Sequence, residues 1–192
     1  SNCDFSLKHY QEILEIALDS GYKFFSFDQL PQIQNEQLAC VLRHDIDYCP
    51  EWAPQIANIE NNLGIKATYF FQICSDIYNL RSKENIGIIH NLKRDGHELG
   101  LHLDVSWADD ISWDNLTDFC DTEKALFQTI TNVPPCKYIS FHNTHKFGEL
   151  VLGQQINGMY HTYEAPFFKD MKYLSDSQDW YEGCVCKIFK NK

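Results

Sequence analysis

LRHDID, residues 42–47, ends an otherwise apolar run that begins QLACV at residue 37. In an extended chain successive side chains alternate faces, so Arg43, Asp45 and Asp47 share one face and His44 and Ile46 the other. Two carboxylates on one face at a strand end repel each other. A positive partner must sit beside or between them, and the candidates are Arg43 and a metal ion. The alternative reading is an ion-pair or capping network around Arg43 and the next helix.

On either side of this stretch, strand and helix patterns alternate. Leu7, Tyr10, Ile13, Leu14 and Leu18 carry a helical spacing that Gly21 stops, and KFFSF at 23–27 reads as a short strand. QLACVLRHDID then reads as one buried strand. PEWAPQIANIENNLG at 50–64 opens with proline near a first helical turn and closes on glycine, and KATYFFQI at 66–73 is an aromatic-rich strand. A helix over about 83–94 ends before Gly96, and HELGLHLD at 97–104 is a strand. The helical pattern of 113–131 is stopped by Pro134 and Pro135, and KYISFH at 137–142 is a further strand. NGMYHTYEA and KYLSD are expected to be strands joined by loops. Such alternation predicts an α/β fold with a parallel sheet or barrel, whose chemistry gathers at the carboxyl ends of the strands. Three strands end there in potential ligands: Asp45 and Asp47, His102 and Asp104, and His142.

Composition narrows the function. The chain of 192 residues has a net charge of −11, which argues against nucleic-acid and anionic-membrane partners, and no apolar run approaches membrane-spanning length. Eight cysteines include no CxxC pair, and most lie in apolar segments as small hydrophobes, consistent with free thiols in a reducing compartment. Cys184 and Cys186 are expected in a strand, facing opposite ways and ill placed to share a zinc ion. The start shows no signal peptide, so a cytoplasmic location is expected.

Asp and His residues converging on one rim are what a hydrolytic divalent-metal site requires. The order RHDID, helix, GIKATYFF, GHELGLH resembles the polysaccharide deacetylase family, carbohydrate esterase family 4, over roughly residues 7–180. RHDID looks like a variant first motif carried by a branch associated with surface-polysaccharide biosynthesis. The resemblance implies an irregular (β/α) barrel of about seven strands, one domain over 1–192, and removal of an acetyl group from a saccharide by a metal-activated water.

Carried over by position, Asp45 matches the family's catalytic base, and Asp47 replaces the metal-binding aspartate from the same face. His102 matches the first histidine of the family's HTxxH motif, but Ser106 stands where the second is expected. His142 is then the preferred third ligand, with Asp104 and His145 as alternatives and zinc as the expected ion. Arg43 would support the charge of the aspartate pair. DSQDW at 176–180 matches the family's DxxDW motif, which implies that Asp176 positions the active-site groups and Trp180 walls the acetyl pocket. The family's final leucine and histidine have no counterpart in CKIFKNK, and His161 does not match them. Truncation, a substitute general acid, or a saccharide-binding protein without turnover would each explain this. His44 is expected to pack against the helix layer, and His97 to be structural.

Overall fold

A computed structural model describes residues 3–35, 38–105, 112–142, 156, 158–163, 171–175 and 183–190. The first helix, α1 (Leu7–Asp19), begins where the Ser6 side chain accepts from the His9 N–H, and the chain leaves it through Gly21 at φ 85°. Strands β1 (Lys23–Phe25) and β2 (Ala39–Val41) pair in parallel, joined through a 3-10 turn over Phe27–Asn35.

The run expected as one strand is two. It breaks at Leu42, and β3 (Arg43–Ile46) leaves β1 and β2 to start a second sheet. That sheet is completed by β4 (Thr68–Phe71), β5 (Glu98–Asp104), β6 (Tyr138–His142) and β7 (Tyr160–His161), all parallel and in the spatial order β3-β4-β5-β6-β7. Helices α2 (Ala53–Asn62), α3 (Lys83–Arg94) and α4 (Trp113–Thr131) supply the crossovers. Ser82 and Ser112 cap α3 and α4 by accepting from the N–H three residues on. Helix α4 ends at Asn132 in the left-handed region (φ 56°), ahead of the expected proline stop.

The mixed α/β architecture with parallel strands follows the sequence pattern, but the described residues do not close into a barrel. Among the described residues β3 and β7 are the edges of the five-stranded sheet, and β1 and β2 form a separate pair. Residues 172–175, expected as a strand, are not in one, and the segment at the end of the chain forms helix α5 (Val185–Lys190). No helix among the described residues is long and apolar enough to cross a membrane.

Each face of the larger sheet has its own occupants. Tyr69, Phe71, Leu99, Leu101, Leu103, Ile139 and Phe141 are buried in the main core with Ala57, Ile89, Leu92, Cys120 and Phe127 of the helices. His44 lies on this face, as expected, and donates through Nε2 to Oε1 of Glu60 in α2 at 2.6 Å. Glu60 is fully buried and also accepts from Tyr10 (2.5 Å) and Tyr69 (2.7 Å). Burial opposes its charge, but His44 and the two hydroxyls outweigh it and hold the carboxyl below the ordinary range. His97 accepts the Ala67 N–H through Nδ1 at 3.2 Å, a structural role.

On the opposite face Phe70 and Tyr138 pack around Phe27, with ring centroids 5.8 and 5.0 Å from it. Gly100 lies in register with Phe70, and a Cβ there would stand 2.5 Å from two Phe70 ring carbons. The glycine therefore admits the aromatic floor on which the polar upper half of this face rests.

Candidate active site

Parallel register brings the ligand candidates together. His102 pairs with Ser140 and Asp104 with His142, while Asp45 lies two strands away, opposite Phe70 of β4. All point to the face floored by Phe70, and Asp47 follows immediately beyond the end of β3. Asp47 Oδ1 lies 3.0 Å from His102 Nε2 and 2.9 Å from His142 Nδ1, and the two ring nitrogens are 3.3 Å apart. Asp47, His102 and His142 thus offer one ligand atom each to a common point. Asp104, the alternative ligand, is not in this cluster. His145, Ser106, Asp176 and Trp180 lie outside the described residues.

The donor set fits a divalent ion. With bonds of about 2.0–2.1 Å, neighbouring ligand atoms lie about 3.3 Å apart around a tetrahedral ion and about 2.9 Å apart around an octahedral one. Three ligands leave positions for water and substrate. Burial opposes the charge on Asp47, but hydrogen bonds and the field from His102 and then His142 hold its carboxyl below the usual range. Gln72 Nε2 approaches the same oxygen at 3.5 Å, and the Tyr78 hydroxyl fixes the adjoining backbone by donating to the Ile46 carbonyl at 3.0 Å.

Asp45 stands beside this triad without joining it. Its Oδ2 is 3.3 Å from Arg43 Nη2, and its Oδ1 accepts from Ser140 Oγ at 3.0 Å. The Ser140 oxygen is also 2.5 Å from His102 Nδ1. A carboxylate can only accept, so the serine proton goes to Asp45 and the serine oxygen accepts from Nδ1–H. With an ion in the cluster, that chain of two bonds would keep the remaining His102 proton on Nδ1 and leave the Nε2 lone pair to the metal, the outer support typical of metal-binding histidines. Ser140 was not among the residues singled out from sequence. The alternation in KYISFH, which puts Ser140 and His142 on one face, was the available signal.

Arg43 is held from several sides. Its guanidinium carbon lies 5.6 Å from the ring centroids of both Tyr163 and Tyr173, and Nη2 donates to the Tyr173 hydroxyl at 3.1 Å. Burial disfavours its charge, but Asp45 and then the two tyrosines raise its pKa overall. His161 is excluded from this face: it is buried beside Phe141 in register with Ile139, and Nδ1 accepts the Tyr163 N–H at 3.2 Å.

No protein-family profile matches the chain, and no curated protein matches its sequence. Solved structures do. The Streptococcus pyogenes deacetylase PplD, determined in complex with acetate, aligns with a TM-score of 0.52 at 18% identity over 70% of this chain. This chain spans 64% of that protein's length. IcaB from Ammonifex degensii aligns with a TM-score of 0.57 at 12% identity, covering 83% of this chain and 76% of its own. Chitin deacetylase from the fungal pathogen Colletotrichum lindemuthianum gives a TM-score of 0.41 at 21% identity, over 53% of this chain and 44% of its own, too little to establish a common fold. At these identities the shared property is architecture: the chain has the fold of PplD and IcaB.

Proposed function

We propose that this chain is a divalent-metal-dependent hydrolase that removes an acetyl group from a saccharide. The observation that carries this reading is the separation of two carboxylates only two residues apart. Asp47 belongs to a three-ligand cluster, whereas Asp45 is held outside it by Arg43 and Ser140. The shared fold with a deacetylase points the same way.

Asp47, His102 and His142 would hold the ion, with zinc the best match to a carboxylate and two imidazoles. When bound, it supplies a lowered water pKa and polarisation of the acetyl carbonyl. Asp45 takes the proton from the attacking water as general base. Arg43 pairs with that carboxylate at 3.3 Å and, held by its aromatic clamp, aims it. Ser140 transmits orientation between Asp45 and His102. Tyr48 follows Asp47 and is 63% exposed, and Tyr173 is 43% exposed, so aromatic rings at the rim are available to stack on a sugar. Asp176 as a positioning group and Trp180 as a wall of the acetyl pocket complete the proposed site. The setting we propose is surface-polysaccharide biosynthesis, in a cytoplasmic location consistent with the free thiols.

The test is acetate release from N-acetylglucosamine oligomers and O-acetylated xylan, measured on chelated and zinc-reloaded protein. Release should require reloading, vanish in Asp47→Ala with the loss of one ion per chain, and fall about 10²–10⁴-fold in Asp45→Asn with the ion retained. Metal content unchanged by Asp47→Ala together with His142→Ala would overturn the assignment.

A further inference from the structure

A second cluster lies apart from this site, at the two ends of the described chain. Cys3, His9, Cys184 and Cys186 present ligand atoms that all lie within 4.8 Å of one another. Cys3 Sγ is 3.6 Å from Cys186 Sγ, and His9 Nε2 is 3.1 Å from Cys184 Sγ. His9, Cys184 and Cys186 are buried, and Cys3 closes the outer side.

We infer that these four residues form a structural zinc site that clamps α1 to α5. Three thiolates and one imidazole are a recognised tetrahedral set for zinc. With Zn–S bonds of about 2.3 Å and Zn–N bonds of about 2.0–2.1 Å, such a set places sulfurs about 3.8 Å apart and sulfur about 3.5 Å from nitrogen. The Cys3–Cys186 separation of 3.6 Å is close to the first value, the His9–Cys184 separation of 3.1 Å is somewhat shorter than the second, and every remaining pair lies within 4.8 Å. All four positions are filled by protein, which marks a closed structural centre, and the sulfur-rich donors distinguish it from the oxygen and nitrogen set at the sheet edge.

Two details of the surroundings support a ligand role for His9. Glu12 Oε2 lies 3.2 Å from His9 Nδ1, one helical turn along α1. The carboxylate accepts from Nδ1–H, which leaves Nε2 as the lone-pair donor facing the sulfurs, the arrangement found behind zinc-bound histidines. On the other side, Asp4 Oδ1 accepts from both the Ser6 N–H (3.0 Å) and the Ser6 hydroxyl (2.5 Å), fixing the turn that carries Cys3 back toward α1.

The sequence had placed Cys184 and Cys186 on opposite faces of a strand. They sit instead at the entry to α5: Gly183, at φ 85°, turns the chain, Cys184 precedes the first helical residue and Cys186 lies in the first turn. The helical start brings both sulfurs to one side, where Ile13, Ala17 and Phe189 form a small apolar cluster with them.

The experiment uses the reduced full chain carrying Asp47→Ala, so that the first cluster contributes no high-affinity metal. Titration with cobalt(II) should give intense thiolate-to-cobalt charge-transfer absorption saturating at one ion per chain, bleached when zinc is added. Cys3→Ser and Cys184→Ser should lose this absorption, and His9→Cys should retain it with a shifted spectrum. Cys3 is exposed and precedes the helix, so Cys3→Ser tests the site in a variant expected to keep its circular dichroism. Absence of thiolate absorption in the folded, reduced chain would overturn the proposal. So would recovery of a Cys3–Cys186 disulfide from the freshly purified protein. Neither result depends on acetate release, so this inference and the proposed activity stand or fall separately.

Discussion

Gly100→Ala is the sharpest probe of how the floor of the site is built. Gly100 lies inside β5, so the substitution tests space. The new methyl would stand 2.5 Å from Cδ1 and Cε1 of Phe70 and 3.1 Å from the Tyr138 carbonyl oxygen. Phe70 is fully buried and cannot swing outward, because Phe27 packs against it edge-on at 5.8 Å. Relief must come from moving the ring or separating β5 from its neighbours. Overpacking of this kind costs about 1–3 kcal/mol, and two ring contacts plus one to backbone place Gly100→Ala at the upper end, about 3 kcal/mol. With a urea m-value of about 2 kcal/mol/M, the unfolding midpoint should fall by about 1.5 M at unchanged slope. The second variant, Phe70→Leu, makes room but leaves a cavity. In the double variant the two effects should couple by about 1–2 kcal/mol, within the range found for residues in contact. A single Gly100→Ala variant within about 0.5 kcal/mol of wild type, the range of an ordinary surface change, would refute the steric account.

Three further outcomes follow from other contacts. Glu60→Gln should destabilise the fold by about 3–5 kcal/mol at neutral pH, since a carboxylate that accepts from Tyr10, Tyr69 and His44 becomes an amide that must also donate. Because the folded Glu60 carboxyl is held below its ordinary value, its contribution is complete above about pH 4.3 and is lost as acid protonates it in the fold. Urea unfolding of Glu60→Gln should therefore show a shallower stability loss below that pH than wild type, and an unchanged acid limb would count against the hub. Ser140→Ala should weaken zinc retention or acetate release about 10–100-fold by freeing the His102 ring, and full activity with unchanged metal affinity would remove Ser140 from the site. Arg43→Lys keeps the charge but loses the planar contact with Tyr163 and Tyr173. It should cost about 1–2 kcal/mol in thermal or urea unfolding, and a neutral result would mean that the aromatic clamp is not a stabilising contact.

The elements most legible in sequence were those whose signals are local. The helical spacing of α1, the glycines that follow α1 and α3, and the apolar run of β5 need only neighbouring residues to declare themselves. Alternation also put Asp45 and Asp47 on one face and identified His102 and His142 as strand-end residues. What alternation could not convey is division of labour: Asp45 meets Arg43 and Ser140, while Asp47 meets two histidines, because three strands converge at different heights. The break at Leu42 was hidden for a related reason. QLACVLRHDID is apolar enough for one strand, and only pairing partners far along the chain separate β2 from β3. Glu60 gave no warning either, since NIENN reads as a polar helix end until α1, β3 and β4 deliver their donors to it. The pairing of Cys3 and His9 with Cys184 and Cys186 spans nearly the full sequence, and an assumed strand concealed the helical turn that makes it possible.

The sheet's spatial order, β3 through β7 without a permutation, also bears on the chain's synthesis. Each strand leaving the ribosome finds the edge it must join already formed, so assembly can advance with translation and no strand waits for a later partner to be inserted between neighbours. Asp47 and His102 are made before the edge that receives β6, and His142 completes their cluster as soon as that strand docks. The cysteine cluster cannot close until Cys186 emerges. At a synthesis rate of about 5–20 residues per second, these two events are separated by a few seconds. The Asp47, His102 and His142 cluster would thus form before Cys3 and His9 meet Cys184 and Cys186.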